Sequence, residues 1–172
     1  TLAALVAEGA GILSVAPDGL PGSWCGLRPA ERAEPGPVDL PDGVLEFWTS
    51  GTTGEPKRFS KSLSQLEAEV VALERLFGEH LGDGPMLGTV PHHHIYGCLF
   101  RVLWPLAAGR AFLLERTGDP DRLAWALERF QRPCLVASPA HLSRLPRAMD
   151  FRRLAPPVQV FSSGGPLERA DA

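Results

Sequence analysis

The sequence predicts an α/β fold: a mostly parallel sheet with helices on its faces, preceded by a strand–loop–strand hairpin whose loop suits a phosphate. Three observations predict it. Strand-type and helix-type patterns alternate from Pro85 to the end of the chain, which implies parallel strands joined by crossover helices. Leu63, Leu66, Val70, Leu73 and Phe77 recur at helical spacing. Between the apolar run Leu45-Glu46-Phe47-Trp48 and the short strand pattern at Phe59-Ser60-Lys61 lies a loop of glycines and small hydroxyl residues. A chain of 172 residues, 44% hydrophobic and 22% charged, has enough material for one domain with a real core. Its net charge of −3 excludes a basic footprint for nucleic acid, and no apolar run reaches the length of a membrane span.

The elements follow in order. Residues 1–43 read as an irregular Pro/Gly-rich lead-in, with a short helix at 1–8, a short strand at Ile12 to Val15 and Trp24 as a packing anchor. The start at Thr1, with no basic leader, is not that of a signal peptide, and the lack of a methionine suggests processing or a piece of a longer chain. Residues 44–172 read as the folded unit. A helix of about four turns follows the loop, capped by Ser62 with Gln65 or by Ser64 with Glu67, and stopped near Gly78. Pro85 to Val90 reads as a strand. A helix through Leu99, Val102, Leu103 and Leu106 follows, bent or ended near Pro105. Ala111 to Glu115 reads as a strand. Asp119 caps a third helix with Pro120 in its first position. Cys134 to Ala137 reads as a buried strand, Ser138-Pro139 as the start of a fourth helix carrying Leu142 and Leu145, and Val158 to Phe161 as a last strand. Cys25, Cys98 and Cys134 are odd in number and far apart, which argues for free thiols and a reducing, cytoplasmic compartment.

The loop carries the clearest chemistry. Gly51 and Gly54 permit close backbone approach, so successive N–H groups can form an anion nest. Thr49, Ser50, Thr52 and Thr53 add hydroxyl donors, and Lys57 adds a point charge. The plainer alternative is a glycine-containing hairpin turn. A Walker A loop is a poor match, because Pro56 supplies no N–H before Lys57, and Arg58 stands where Ser or Thr belongs. Two further segments follow the carboxyl ends of strands, where ligands bind in parallel sheets. One is Pro91-His92-His93-His94-Ile95-Tyr96-Gly97. The other is Ser162-Ser163-Gly164-Gly165-Pro166-Leu167. The histidine run admits a metal reading and a solvated polar turn. Only His92 and His94 of an extended run share a side, and no Cys, Asp or Glu lies at ligand spacing, so no metal site is assigned. The glycine segment also reads as a strand-end turn.

Residues Thr49 to Lys57 resemble the signature phosphate loop of the adenylate-forming (AMP-binding) synthetases, which include the acyl-CoA synthetases. Pro91-x-x-His94-x-x-Gly97 resembles the family's next motif. The resemblance implies that His94 lies near the substrate carboxylate, with Tyr96 on the acyl side. Ser163-Gly164-Gly165-Pro166 resembles the segment flanking adenine and the α-phosphate. It departs from the family by lacking a residue between the glycine pair and the proline, with Ser163 where glycine is common and Gly165 where alanine is common. The resemblance covers about Leu45 to Leu167, a central slice of the family's large domain. The magnesium-holding glutamate, the ribose-binding aspartate and the C-terminal lid are expected outside this chain.

The implied function is that of an acid–thiol ligase. ATP and Mg2+ convert a small-molecule carboxylic acid to an acyl-adenylate, and coenzyme A or the phosphopantetheine of an acyl carrier protein then takes the acyl group. The fragment alone is expected to be inactive. Phe100, Trp104 and Phe112 are candidates for an acyl pocket, with core packing as the alternative. Two rival readings differ in kind. A nucleotide-hydrolysing or phosphoryl-transfer domain would open a helix directly after Lys57. A non-catalytic module retaining the fold would bind no ATP.

Overall fold

The computed structural model describes residues 44–49 and 57–169. The expected helix at 1–8, the strand at 12–15, Trp24 and Cys25 lie outside these residues. Strand β1 (Val44–Thr49) pairs antiparallel with β2 (Lys57–Ser62), and the two form a sheet of their own among the described residues. Phe47 faces Phe59 across the pair, their rings stacked with centroids 5.5 Å apart. Helix α1 (Leu63–Leu81) begins at Ser62, whose side chain accepts from the Gln65 N–H while the Gln65 side chain accepts from the Ser62 N–H, a complete capping box. Lys61 and Glu69, 2.6 Å apart, tie the hairpin to this helix.

The main sheet is parallel and three-stranded among the described residues, in the order β3 (Met86–Gly88), β4 (Cys134–Ala137), β5 (Gln159–Ser162). Alternate residues of each strand face opposite sides. Met86, Cys134 and Val136 join Leu66, Val70, Leu81, Leu99, Trp104 and Phe112 in one core, beneath α1 and the 95–108 helix. Leu87, Leu135 and Ala137 join Leu123, Ala126, Leu127 and Leu145 in a second core on the other side. Helices on both faces of a parallel sheet are the expected architecture, and both cores bury whole side chains.

The 95–108 helix consists of α2 (Ile95–Cys98), a π-helical turn (Leu99–Leu103) and α3 (Trp104–Ala108). Pro105 was expected to bend or end it. The chain instead widens by one residue just before the proline, with the Trp104 N–H reaching back to the Leu99 carbonyl, and continues to Gly109. Helix α4 (Pro120–Arg129) starts as expected: the Asp119 carboxylate accepts from the N–H groups of Asp121 and Arg122, and Pro120 fills the first position.

Three further expectations need correction. Gly78 does not stop α1, which runs to Leu81 and ends at Gly82. A side chain at 78 would collide with the Glu74 carboxylate, so the position keeps space for a polar clamp. The segment 111–115 is not a full strand. Phe112 makes a parallel bridge to Met86, flanked by hydrogen bonds from Met86 N to Ala111 O and from Leu113 N to Met86 O. The helix after Ser138 is two short pieces, α5 (Pro139–Leu142) and α6 (Leu145–Ala148), because Pro146 has no N–H to continue the ladder.

The clamp joins α1 to the end of the 95–108 helix. The buried Arg110 guanidinium forms a two-pronged ion pair with Glu74, which also accepts from Trp104 Nε1 at 2.8 Å. Arg110 donates further to the carbonyls of Gly78 and Gly82. The hydrogen bond from Arg110 holds the Glu74 carboxyl below the usual glutamate range, against a smaller opposing effect of burial. A depressed folded-state pKa stabilises the protein above the unfolded value of 4.5 and ceases to do so as pH falls through the folded value. The melting-temperature gap between wild type and Glu74→Gln is therefore expected to be full at neutral pH and to shrink in acid below that range. A gap that stays constant down to the acid limit of folding would show that the Glu74 charge contributes nothing.

Candidate active site

The parallel strands put the segments after β3, β4 and β5 along one edge of the sheet. The β1–β2 loop belongs to the separate hairpin. Thr49 and Lys57 are backbone partners at its base, so the chain leaves along one strand and returns along the other. Ser50, Gly51, Thr52, Thr53 and Gly54 lie outside the described residues. Lys57 opens a strand and not a helix. This is a strand–loop–strand arrangement, unlike that of a Walker A site.

After β3 the chain bends at Thr89 and Val90, turns at His92 and His93, and enters α2 with His94 as its N-cap residue, the His94 carbonyl accepting from the Cys98 N–H at 2.7 Å. The spacing from Pro91 to Gly97 has a steric cause. Gly97 lies against the Pro91 carbonyl, where any side chain would collide with the backbone. His94 is exposed, and its ring lies 4.4 Å from that of His93. Tyr96 turns the other way. It packs on Phe100, with centroids 4.9 Å apart, and its hydroxyl is buried with no partner among the described residues. Burial raises the Tyr96 pKa well above the phenol range. His94 and Tyr96 thus point to different environments: one to the edge, the other to the core.

A buried arginine supports this turn. Arg101 projects from the π-helical turn over Gly88, where a side chain would clash with it, and donates to the carbonyls of Val90, Leu113, Leu114 and Glu115. It therefore ties the strand leading into Pro91 to the 113–115 segment. Periodicity did not single it out, because an arginine among Leu99, Val102 and Leu103 reads as the polar face of a helix.

Ser163, Gly164, Gly165 and Pro166 follow β5 and are exposed. Gly164 has φ +100°, a conformation that disfavours any side chain. Gly164, Gly165, Pro166 and Glu168 form one wall of a cavity of about 390 Å³, and Ser138, Ala140 and Ser143, beyond β4, form the other. Ser163 does not line it. Sequence reasoning missed the β4 side of this cavity, including His141, whose Nδ1 lies 3.0 Å from the Thr89 hydroxyl and 3.1 Å from that of Ser138. The available signal was Ser138-Pro139-Ala140-His141 directly after a buried strand. Burial lowers the His141 pKa, reinforced by the charges of Arg116 and Arg144.

Trp104 and Phe112 are buried in the core, and Phe100 packs against Trp104 and Phe161, so these rings serve packing. Burial raises the thiol pKa of Cys98, and pushes that of Cys134 up to about 12, so both stay protonated. Among the described residues no three His, Cys, Asp or Glu converge on a metal position, and no helix is long and apolar enough to cross a membrane.

The chain is similar to known ligases. It is 36% identical over 126 residues to a 4-coumarate–CoA ligase of Rhodobacter capsulatus, covering 72% of this chain and 31% of that protein. It is 31% identical over 111 residues to a 4-chlorobenzoate–CoA ligase of Arthrobacter, covering 64% and 21%. The chain thus spans a third or less of the length of these relatives. Its fold matches that of a fatty acyl-adenylate ligase from L. pneumophila, solved with acyl adenylate and pyrophosphate, at a TM-score of 0.63 and 16% identity over 73% of this chain and 24% of that one. The family model described as AMP-binding enzyme matches residues 8–172. The chain belongs to the AMP-binding enzyme family.

Proposed function

We propose that the protein is an acid–thiol ligase that activates a carboxylic acid with ATP. One oxygen of the substrate carboxylate attacks the α-phosphorus, the bond to the β-phosphate oxygen breaks, and pyrophosphate leaves. The thiol of coenzyme A or of a carrier-protein phosphopantetheine then attacks the acyl carbonyl, and AMP leaves. The first nucleophile is already ionised near pH 7, with a pKa of about 4, so it needs no general base. The relatives named for 4-coumarate and 4-chlorobenzoate favour an aromatic acid. The observation that carries the reading is the hairpin base. Thr49 and Lys57 pair across β1 and β2, so a loop of glycines and hydroxyls is held between two strands in a member of this family.

In this reading Thr49, Ser50, Gly51, Thr52, Thr53, Gly54 and Lys57 hold the β- and γ-phosphates, by positioning and by charge stabilisation. Ser163, Gly164, Gly165 and Pro166 flank the adenine and α-phosphate, which suits the φ +100° backbone at Gly164 and the adjoining cavity. His94 contacts the carboxylate. Tyr96 supports the acyl side from within the core. Magnesium would supply charge neutralisation at the phosphates, and the described residues offer no ligand set for it. Residues 44–172 form part of a larger adenylation domain, in keeping with the share of the relatives they span. The odd number and wide spacing of Cys25, Cys98 and Cys134 suit a reducing, cytoplasmic compartment. The strand that opens at Lys57 counts against the phosphoryl-transfer alternative.

ATP–pyrophosphate exchange by the full-length protein with a panel of aromatic and fatty acids tests the reading. Exchange is expected for at least one aromatic acid, and Lys57→Ala is expected to reduce it about 100-fold, the size of losing one preorganised charge-stabilising group. ATP hydrolysis without acid-dependent exchange would sink the proposal. The 172-residue chain alone is expected to give no exchange.

A further inference from the structure

Three side chains meet at the carboxyl edge of the sheet with no part in the reaction as proposed. Thr89 stands just beyond β3, Ser138 just beyond β4, and His141 in α5. The Thr89 and Ser138 hydroxyls both address Nδ1 of His141. A ring nitrogen offers one lone pair or one proton, so it serves one hydroxyl fully at a time. The two hydroxyls are not equivalent. Thr89 is fully buried, and among the described residues its hydroxyl bonds only to His141. Leaving it unpaired would carry the full desolvation cost. Ser138 is half-buried and lines the cavity opposite Gly164 and Gly165. When Thr89 holds the imidazole, the Ser138 hydroxyl is released toward the cavity, where a ligand atom replaces the partner it gives up. Burial and the neighbouring Arg116 and Arg144 favour the neutral imidazole, which preserves this choice between hydroxyls.

We propose that Ser138 is a ligand-binding residue of this cavity, contacting the AMP moiety opposite Gly164 and Gly165, and that Thr89 and His141 are positioning residues that hold its hydroxyl at the rim. The inference rests on reading the Gly164–Pro166 segment as part of the nucleotide site. A hydroxyl that both donates and accepts suits the phosphate oxygens or the polar edge of a base.

Calorimetric titration of the full-length protein with AMP tests it. Ser138→Ala is expected to weaken AMP binding about fivefold with the melting temperature unchanged, the effect of one neutral hydrogen bond. His141→Asn keeps a polar atom near the Nδ1 position and is expected to bind AMP like wild type. His141→Gln places its amide nearer the Nε2 position and is expected to lose about fivefold, through the misplaced Ser138 hydroxyl. Wild-type affinity in Ser138→Ala would overturn the proposal. So would a common loss of melting temperature in all three variants with AMP affinity intact, or a wild-type protein that does not bind AMP. Pyrophosphate exchange reports separately on the parent reading: AMP binding that responds to Ser138, without exchange for any acid, would reject adenylation and leave this inference standing.

Discussion

Methionine in place of Arg101 is expected to lower the unfolding free energy by about 3–4 kcal/mol, read as a shift of the urea midpoint at unchanged slope. Arg101 is 2% exposed and its guanidinium serves four carbonyls, two of which, on Val90 and Leu113, are themselves in buried residues. Methionine fills the stem's volume and leaves those two acceptors unsatisfied, at about 1–3 kcal/mol each. Burial and Arg116 oppose the Arg101 charge, while Glu115 supports it. The pure cost of burying the cation is recovered in the variant, which keeps the expected loss from being larger. Lysine is expected to restore only part of the loss, since a single ammonium cannot fork between Val90 on one side and residues 113–115 on the other. A midpoint shift equivalent to less than about 1 kcal/mol would mean that water reaches these carbonyls.

Alanine in place of Gly97 is expected to act on stability and on function together. Its methyl would enter the Pro91 carbonyl, and backbone on both sides must move to accept it. Overpacking of this kind costs about 2–3 kcal/mol. The same contact closes the turn that presents His94 at the start of α2, so the displacement falls on a proposed substrate-binding residue. A shift near 1 Å at such a position is expected to reduce exchange turnover about 100-fold even where the protein remains folded. The decisive comparison is turnover at a temperature well below the variant's melting point. Wild-type turnover there would separate His94 from the chemistry.

Much of the architecture was legible because it rests on local patterns. Ser62 with Gln65, Asp119 with Pro120, and the apolar run from Cys134 to Ala137 each encode an element through one turn of neighbouring residues. The failures share a cause: distant polar side chains that take over backbone groups or space. The 111–115 segment has strand composition, but the successive carbonyls of Leu113, Leu114 and Glu115 all converge on one nitrogen of Arg101, which the alternation of an extended strand does not allow. Gly78 looks like a helix stop, yet its missing side chain makes room for Glu74 and its carbonyl accepts from Arg110. On the site, the Pro91 to Gly97 spacing was readable because a steric contact fixes it. The Thr89–His141–Ser138 cluster was not, since its members lie 52 and 3 residues apart in sequence and meet only through strand adjacency.

The widened turn at Leu99–Leu103 bears on how the chain tolerates changes of length. A regular helix carries about 3.6 residues per turn, and the π turn takes up one residue more without changing which way its two ends face. Removing one residue here would restore regular winding and leave α2 and α3 facing as they do now. The loss would fall inside the turn, where Arg101 reaches Val90. The widened turn is therefore a slot that absorbs a one-residue change of length while His94 and Tyr96 keep their outlooks. A deletion elsewhere in the 95–108 helix, with no such slot to take it up, would rotate the upstream half by about 100°.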